Sequence, residues 1–424
     1  MKILIKGGRV IDPANNMDKK MDVLIEKGKI AKIAEKIKTK SDKEINAEGK
    51  IVAPGFVDMH THLREPGKEE AETVETGVKA AIAGGFTTVA AMPNTFPACD
   101  SQAHVRFLLE KSKNIGLANV LPIGTITKER KGETISEMAE LKEAGCLAVS
   151  DDGDSVRNSF LMRNAMEYAS MLDLVVIDHC EDKELVSDGV MREGYMSTVL
   201  GLKPISSESE SSIIERDIEL AERAGARIHI AHVSTVKGIE IIEAAKKRGV
   251  KVTVEVTPHH LALTDKELKK YDTNMKVNPP LATEEGVKKL KEAVKRGVID
   301  VIATDHAPHE EHEKEKEFDY APFGMIGLET AFSVVYMALV EEKYLTWTDL
   351  IAKLTINPCR ILKYDRGTLS EGAVADITII DPEKEWIYEK KDIISKSKNS
   401  PFIGKKMKGK VTDVIVEGKI VKHA

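Results

Sequence analysis

The stretch Asp58-Met59-His60-Thr61-His62-Leu63-Arg64-Glu65-Pro66-Gly67 continues an apolar run and places two histidines two positions apart. If the run is a strand, alternate side chains share a face, so His60 and His62 could reach one metal ion while Thr61 points away. The neutral imidazole nitrogen is a favoured zinc ligand. An isolated His-x-His pair is equally compatible with two ordinary histidines at a strand end, so the rest of the chain must decide.

Around this stretch, short apolar runs alternate with amphipathic segments that have the 3.6-residue period of helices. The predicted strands are 55–62, 86–92, 119–125, 146–151, 174–179, 227–233, 251–257 and 300–305, and the clearest predicted helices are 134–144, 208–224, 236–248 and 284–296. Eight such units within residues 54–365 predict an α/β fold, a (β/α)8 TIM barrel with its active site at the carboxyl ends of the strands. An open doubly wound sheet is the alternative, but no Gly-x-Gly-x-x-Gly follows the first strand.

Residues 1–53 and 366–424 have a different pattern, in which short apolar runs are separated by glycine. The runs are 2–6, 23–26, 30–34, 375–381 and 413–421. They predict antiparallel strands with tight turns. Because both ends share this character, we expect them to form one small composite β domain beside the barrel.

The composition is that of a globular protein that acts on small molecules. The 424 residues carry a net charge of -6, and Lys and Arg are interspersed with Asp and Glu, so no basic face for nucleic acid is indicated. The N-terminus lacks the apolar run of a signal peptide, and no long apolar segment is present, so we expect a cytoplasmic protein without membrane spans. The four cysteines are widely spaced, which favours reduced, buried thiols.

Metal-binding side chains gather at the predicted carboxyl ends of the strands. They are His60 and His62 after the first strand, Asp151 and Asp152 after the fourth, Asp178 and His179 after the fifth, His232 after the sixth, and Asp305 and His306 after the eighth. Five strands ending in His or Asp are difficult to attribute to packing. The set exceeds the needs of one tetrahedral zinc, so we expect a two-metal site that activates a bridging water for hydrolysis of a carbonyl or phosphoryl centre.

Three other histidines are expected to serve other roles. Strand alternation places His232 on the face of Ile230 and His229 on the opposite face, so we expect His229 to point toward the helices. His259 and His260 follow the seventh strand and are expected to orient a ligand rather than bind metal.

The polar segment 306–327 is the longest candidate for an irregular loop. It follows the last strand, at the end of the barrel where the active site is expected. We therefore expect it to form a mobile cover.

Longer motifs extend the pattern over the whole chain. Besides 60–67 they are Ala91-Met92-Pro93-Asn94-Thr95, Ser150-Asp151-Asp152-Gly153, Thr257-Pro258-His259-His260-Leu261, Asn278-Pro279-Pro280-Leu281, Thr304-Asp305-His306-Ala307-Pro308-His309 and Ser397-Lys398-Asn399-Ser400-Pro401-Phe402. With these motifs the chain resembles the amidohydrolase superfamily, and within it the dihydroorotases, with hydantoinases and allantoinases as relatives. Many amidohydrolases carry a metal-bridging carboxylated lysine on the fourth strand, whereas Gly145-Cys146-Leu147 has leucine at that place. The departure matches dihydroorotases of the bacterial stand-alone type, in which an aspartate of the Asp-Asp-Gly motif bridges.

The resemblance implies a role for each matching residue. His60, His62 and Asp305 would surround one metal and His179 and His232 the other, with Asp152 between them and Asp305 also acting as general acid/base. The implied substrate contacts are His62, Arg64, Asn94, Asn278, His309, Phe323 and Gly324. The planar fork of Arg64 suits a carboxylate. Two zinc ions per subunit are the implied cofactor, although cobalt or manganese would fit the same ligands.

The implied reaction is the reversible interconversion of (S)-dihydroorotate and N-carbamoyl-L-aspartate in de novo pyrimidine synthesis, with metal-bound hydroxide as the nucleophile. A hydantoin- or allantoin-cleaving enzyme is disfavoured by the missing lysine and by the presence of Arg64 with Asn94. A non-catalytic partner in a pyrimidine-pathway complex would be expected to have lost ligands that this chain keeps. The partner expected is a small-molecule substrate; a homo-oligomer and a partner enzyme of the pathway are both compatible with the sequence.

Overall fold

Eight short parallel strands form the centre of the molecule, which a computed structural model describes over residues 1–423. They form a three-stranded and a five-stranded ladder. The strands are Phe56–Thr61, Phe86–Ala91, Asn119–Pro122, Ala148–Ser150, Val175–Asp178, Arg227–Ile230, Val252–Val256 and Val301–Ile302. Parallel bridges between Gly124 and Val149 and between Thr61 and His306 join the two ladders at both edges. The sheet therefore closes, and the prediction of a (β/α)8 barrel is confirmed.

All eight strands are shorter than the apolar runs that predicted them. The sixth strand ends at Ile230 and the eighth at Ile302, well before the predicted ends at 233 and 305. His232 and Asp305 have positive φ angles of 31° and 47°, so the chain leaves the extended conformation at these residues. The carboxyl ends of these strands thus bend out of the ladder where the candidate ligands stand.

The longer helices pack around the strands, and each buries one apolar face. The α-helices are Val74–Gly84, Gln102–Ile115, Met138–Ala144, Ser159–Met171, Lys183–Val186, Tyr195–Leu200, Glu208–Ala224, Val236–Lys247, Pro258–Ala262, Glu284–Lys295, Glu311–Lys314, Ala331–Val335, Trp347–Leu354 and Ile356–Leu362. Helix Glu208–Ala224 has the predicted bounds and ends at Gly225, which takes the left-handed conformation. The predicted helix 134–144 begins later because the Ser136 hydroxyl donates to backbone carbonyls and holds the preceding turns non-helical.

Both chain ends contribute to one eight-stranded sheet. Its strands are Lys2–Asp12, Met17–Glu26, Lys29–Ala34, Lys43–Asn46, Ile51–Pro54, Ile377–Ile387, Lys406–Val416 and Lys419–Lys422. The C-terminal strands join through antiparallel pairing of Ile377–Ile387 with Ile51–Pro54. The sheet is not purely antiparallel as predicted, because Lys43–Asn46 and Ile51–Pro54 both run parallel to Lys2–Asp12.

The terminal sheet packs on the barrel beside helix Val74–Gly84. Thr378 donates its hydroxyl to the carbonyl of Gly85 at 2.6 Å, and Lys422 donates to that of Ala83 at 2.7 Å. All four cysteines are buried and unpaired, as expected. Within residues 1–423, no helix combines the length and the apolar character needed to cross a membrane.

Candidate active site

A cavity of about 360 Å³ opens at the carboxyl end of the barrel. Its lining consists of His62, Arg64, Asn94, Asp152, Gly153, His179, His232, Asn278, Asp305, Ala307, His309, Pro322, Phe323 and Gly324. Of the residues given a role by the resemblance, all except His60 line this cavity, whereas the strand-end residues Asp151, Asp178 and His306 do not. His60 is completely buried directly behind it. The structure thus gathers residues that are up to 264 positions apart, from His60 to Gly324, around one space.

The two histidines of the first strand each have one nitrogen occupied and one nitrogen free. Nδ1 of His60 donates to Glu255 Oε1 at 2.7 Å, and Nδ1 of His62 donates to Asn94 Oδ1 at 2.8 Å. Their Nε2 atoms face Asp305 Oδ1 at 3.5 and 3.0 Å. Both lone pairs therefore point toward the same carboxylate.

Asp152 lies among the four histidines of the cluster. Its Oδ1 atom is 3.2 Å from Nε2 of His60, 3.7 Å from Nε2 of His232 and 3.8 Å from Nδ1 of His179, while Oδ2 is 3.5 Å from Nε2 of His62. The neighbouring Asp151 instead accepts hydrogen bonds from the backbone N–H groups of residues 126 and 127. Of the two aspartates, only Asp152 reaches the centre.

The nitrogen and oxygen atoms of this cluster are arranged in a way that could hold a cation. Nε2 of His60 and Oδ1 of Asp152 are buried, and neither has a hydrogen-bond partner among the described residues. Two sets, His60 with His62 and Asp305, and His60 with Asp152 and His232, bring ligand atoms within 4.8 Å of one another. Burial lowers the pKa of His60, but the carboxylates of Asp152, Glu255 and Asp305 outweigh it and raise that pKa well above its usual value. This negative field favours a proton or a metal ion between the ligands.

Arg64 brings a positive charge to the wall of the cavity. Its Nε donates to the carbonyl of Pro308 at 3.1 Å, and its Nη2 lies 3.4 Å from Nε2 of His309. The Arg64 side chain is buried, with 8% of the residue exposed, and it makes no ion pair with any of residues 1–423. Burial, opposed by more distant carboxylates, lowers the pKa of the guanidinium to about 10, which leaves it charged at neutral pH. A buried guanidinium without an ion-pair partner among the described residues has N–H groups that can bind an anion in the cavity.

The residue Asn278 is oriented by a carboxylate that the sequence did not identify. Its amide Nδ2 donates to Glu181 Oε1 at 2.6 Å, so Oδ1 is left to accept from a ligand. His260 donates from Nε2 to the carbonyl of Pro279 at 2.8 Å and thereby holds the same loop. His259 and His260 are in neither of the two candidate ligand sets at the cavity.

The segment 306–327 folds over one side of the cavity and contains the short helix Glu311–Lys314. Nε2 of His309 donates to the carbonyl of Phe323 at 2.8 Å, and the N–H of Gly324 donates to the carbonyl of Lys276 at 2.8 Å. The mobility expected for this segment stays a prediction.

The expected orientation of His229 was wrong. His229 pairs in register with Ile177, a member of the apolar cluster inside the barrel, and its Nε2 donates to Glu255 Oε2 at 3.1 Å. It therefore points inward rather than toward the helices. Alternation failed because the positive φ of His232 turns that residue inward too, so the two histidines do not lie on opposite faces.

The sequence did not identify two further residues near the candidate ligands. Glu255 contacts His60, and Arg130 contacts the loop that carries Asp152. A charged residue inside the otherwise apolar seventh strand was the available signal for Glu255. Arg130 donates to the backbone carbonyl of Asp152 at 2.6 Å and to Asp154 Oδ2 at 2.8 Å. It thus fixes the loop of the Asp-Asp-Gly motif, and only the folded chain brings it there.

Comparison with known proteins agrees with this geometry. Residues 49–238 match the family model described as Dihydro-orotase-like. The chain is 51% identical over 422 residues to the dihydroorotase of Geobacter metallireducens, with 99% of each chain covered, and 51% identical over 421 residues to that of Pelotomaculum thermopropionicum, with 99% of this chain and 98% of the relative covered.

Solved structures show the same fold at lower sequence identity. L-Hydantoinase (dihydropyrimidinase) from Arthrobacter aurescens superimposes with a TM-score of 0.89 at 24% identity, covering 99% of this chain and 96% of the other. Dihydropyrimidinase from Brevibacillus agri gives a TM-score of 0.87 at 22% identity, with 100% and 95% covered. Because the chain shares half of its residues with these curated relatives over its full length, it belongs to the dihydroorotase family.

Proposed function

We propose that this protein is a dihydroorotase that interconverts (S)-dihydroorotate and N-carbamoyl-L-aspartate in pyrimidine biosynthesis. One observation supports this substrate most directly: the buried, unpaired guanidinium of Arg64 shares a cavity with a cluster of histidines and carboxylates. A cyclic amide that bears a carboxylate would place its anionic group on Arg64 and its amide bond at the cluster.

The residues of the cluster fit a pair of divalent cations. His60, His62 and Asp305 would hold one ion and His179 and His232 the other, with Asp152 between them; the nitrogen and oxygen donors suit zinc. When bound, such ions would polarise the reacting carbonyl and lower the pKa of a water molecule. The buried atoms without hydrogen-bond partners in this cluster support the assignment.

Substrate would be oriented by polar groups around the cavity. Arg64 would bind the carboxylate with its free N–H groups, helped by the Nδ2 group of Asn94, whose Oδ1 is occupied by His62. His309, which donates its Nε2 proton to Phe323, would border the carboxylate beside Arg64. Asn278, with its amide nitrogen bound by Glu181, would accept a ring N–H through Oδ1. The backbone of Phe323 and Gly324 would border the ring on the side of the covering segment.

Asp305 would move the proton. Burial raises the pKa of its carboxyl group, but His60 and His62 outweigh this and lower that pKa well below its usual value, so the group is ionised at neutral pH. Its Oδ1 faces His62, and no described residue donates a hydrogen bond to Oδ2. In hydrolysis Oδ2 would accept a proton from the attacking water and deliver it to the leaving ring nitrogen. Ring closure is the reverse and begins with Asp305 protonated.

The test is an assay of the zinc-loaded protein on dihydroorotate, hydantoin and allantoin. We expect turnover of dihydroorotate in both directions and little activity on the two rings that lack its carboxylate. Preference for hydantoin would favour the competing cyclic amidohydrolase, and no turnover of dihydroorotate by fully metallated protein would refute the proposal.

The remaining proposals concern the setting of this activity. We propose that residues 1–53 with 366–424 form a small β domain and residues 54–365 the catalytic barrel. We further propose that the enzyme acts in the cytoplasm, alone, as a homo-oligomer or with another enzyme of the pathway.

A further inference from the structure

We propose that Glu255 is a positioning residue that holds His60 and His232 at the metal centre and fixes the tautomer of His60. The inference rests on the metal centre of the proposed function. It concerns a side chain that neither lines the cavity nor lies among the candidate ligands.

Glu255 connects three strands of the barrel through its two oxygens. Oε1 accepts from Nδ1 of His60 at 2.7 Å and from the backbone N–H of His232 at 3.3 Å, and Oε2 accepts from Nε2 of His229 at 3.1 Å. The carboxylate is completely buried. One side chain on the seventh strand therefore contacts the first and sixth strands, and two of its partners are candidate metal ligands.

The contact with His60 decides which imidazole nitrogen carries the proton. An ionised carboxylate only accepts hydrogen bonds, so the proton of neutral His60 lies on Nδ1 and the lone pair on Nε2. That Nε2 atom is buried and unpartnered, 3.2 Å from Oδ1 of Asp152. Glu255 thus turns the metal-binding lone pair of His60 toward the centre, and its negative charge makes that nitrogen a stronger donor.

His229 completes the arrangement by satisfying the second oxygen. The hydroxyl of Thr253 lies 2.8 Å from Nδ1 of His229 and can donate to it, which places the ring proton on Nε2, facing Glu255. Both oxygens of the Glu255 carboxylate therefore accept hydrogen bonds, although the group is completely buried.

The contact with His232 holds a strained backbone. His232 has a φ of 31°, a conformation unfavourable for a residue with a side chain. Its N–H group donates to Glu255, which anchors the turned peptide at the residue where the sixth strand bends toward the centre.

The test is the affinity for zinc of Glu255→Gln, measured by competition with a chromophoric chelator on metal-stripped protein. Glutamine has the shape of glutamate and can still accept from His60, but it lacks the charge. We expect the zinc dissociation constant to rise about 10- to 100-fold, and the visible spectrum of cobalt-loaded protein to change. Asp12→Asn is the matched control, since Asp12 is a fully buried carboxylate of the terminal sheet; its zinc affinity should equal that of the wild type.

A folded Glu255→Gln protein with a zinc dissociation constant within about twofold of the wild type, too small a change for the loss of a charge that supports a metal ligand, would overturn the inference. If this variant does not fold, zinc-loaded wild type labelled with 15N-histidine decides: a proton on Nδ1 of His60 supports the inference and a proton on Nε2 refutes it. Wild type that binds zinc but does not turn over dihydroorotate would refute the proposed function alone. Wild type that binds no zinc would refute both.

Discussion

At the level of single residues, the histidines of the first strand owe their orientation to different partners. His62 is held by the amide of Asn94 and His60 by the carboxylate of Glu255. Spacing in the sequence was enough to single out both histidines, because alternate residues of a strand share a face. The partners were not recognisable in these roles, since they come from the second and seventh strands and meet the histidines only in the closed barrel.

Replacement of Asp305 by alanine tests the proton transfer. We expect turnover in both directions to fall by at least about 10²-fold, the usual contribution of a general acid/base, while zinc content, measured by atomic absorption, largely survives on the other ligands. Asp188→Ala, at an exposed carboxylate paired with Lys203, is the control and should keep wild-type turnover. Unchanged turnover in Asp305→Ala would remove this residue from the mechanism.

Replacement of Arg64 by lysine tests the carboxylate clamp. Lysine keeps the charge but not the planar fork, so one charged hydrogen bond worth about 1.5–3 kcal/mol is lost. We expect KM for dihydroorotate to rise about 10- to 100-fold, with zinc affinity little changed. Arg163→Lys, on the exposed face of helix Ser159–Met171, serves as the control. Wild-type KM in Arg64→Lys would argue against a bound carboxylate at this place.

At the level of elements, the strands were predictable and their last residues were not. Apolar runs identified all eight barrel strands, yet alternation assigned His229 to the wrong face. The reason is physical: strand periodicity holds only while the backbone is extended, and His232 and Asp305 have positive φ angles. Backbone strain of this kind concentrates at functional sites, so periodicity fails where the ligands are placed.

Segment 306–327 covers one side of the cavity, and the contacts that hold it there can be tested separately from the catalytic residues. The ammonium group of Lys276 donates to the carbonyls of Phe318 at 2.7 Å and Asp319 at 3.1 Å and lies over the ring of Phe323, 4.6 Å from its centre. Among the described residues this buried lysine has no ion-pair partner. The contacts of its ammonium group are all with residues of segment 306–327, so we expect them to hold this segment in place.

We expect Lys276→Met to loosen this segment. The variant should be cut faster than the wild type within residues 311–322 in limited proteolysis, and KM for dihydroorotate should rise several-fold, the effect of about 1 kcal/mol for a lost hydrogen bond. Lys289→Met, on the surface of helix Glu284–Lys295, is the control. Equal cleavage of Lys276→Met and wild type would show that the lysine does not secure the segment.

At the level of the whole molecule, the proposed metal centre connects distant parts of the barrel. Its candidate ligands come from the first, fourth, fifth, sixth and eighth strands, whereas the two sheet ladders are joined only by isolated bridges. The closed topology and the terminal sheet followed from the sequence pattern. The sequence placed the candidate ligands at strand ends, but the distances between their ligand atoms are seen only in the closed barrel.

Removal of metal should consequently destabilise the protein. Without a cation, the carboxylates of Asp152 and Asp305 and the lone pairs of the histidines face one another in a buried space. Zinc at 100 times its dissociation constant should stabilise the folded state by about 2.7 kcal/mol, which corresponds to a rise of roughly 3 °C in the melting midpoint of a chain of 424 residues. Scanning calorimetry of stripped and zinc-loaded protein measures this, and His179→Asn/His232→Asn, which lacks two ligands, should respond less. Coincident melting curves for stripped and loaded wild type would contradict a metal centre that ties the strands together.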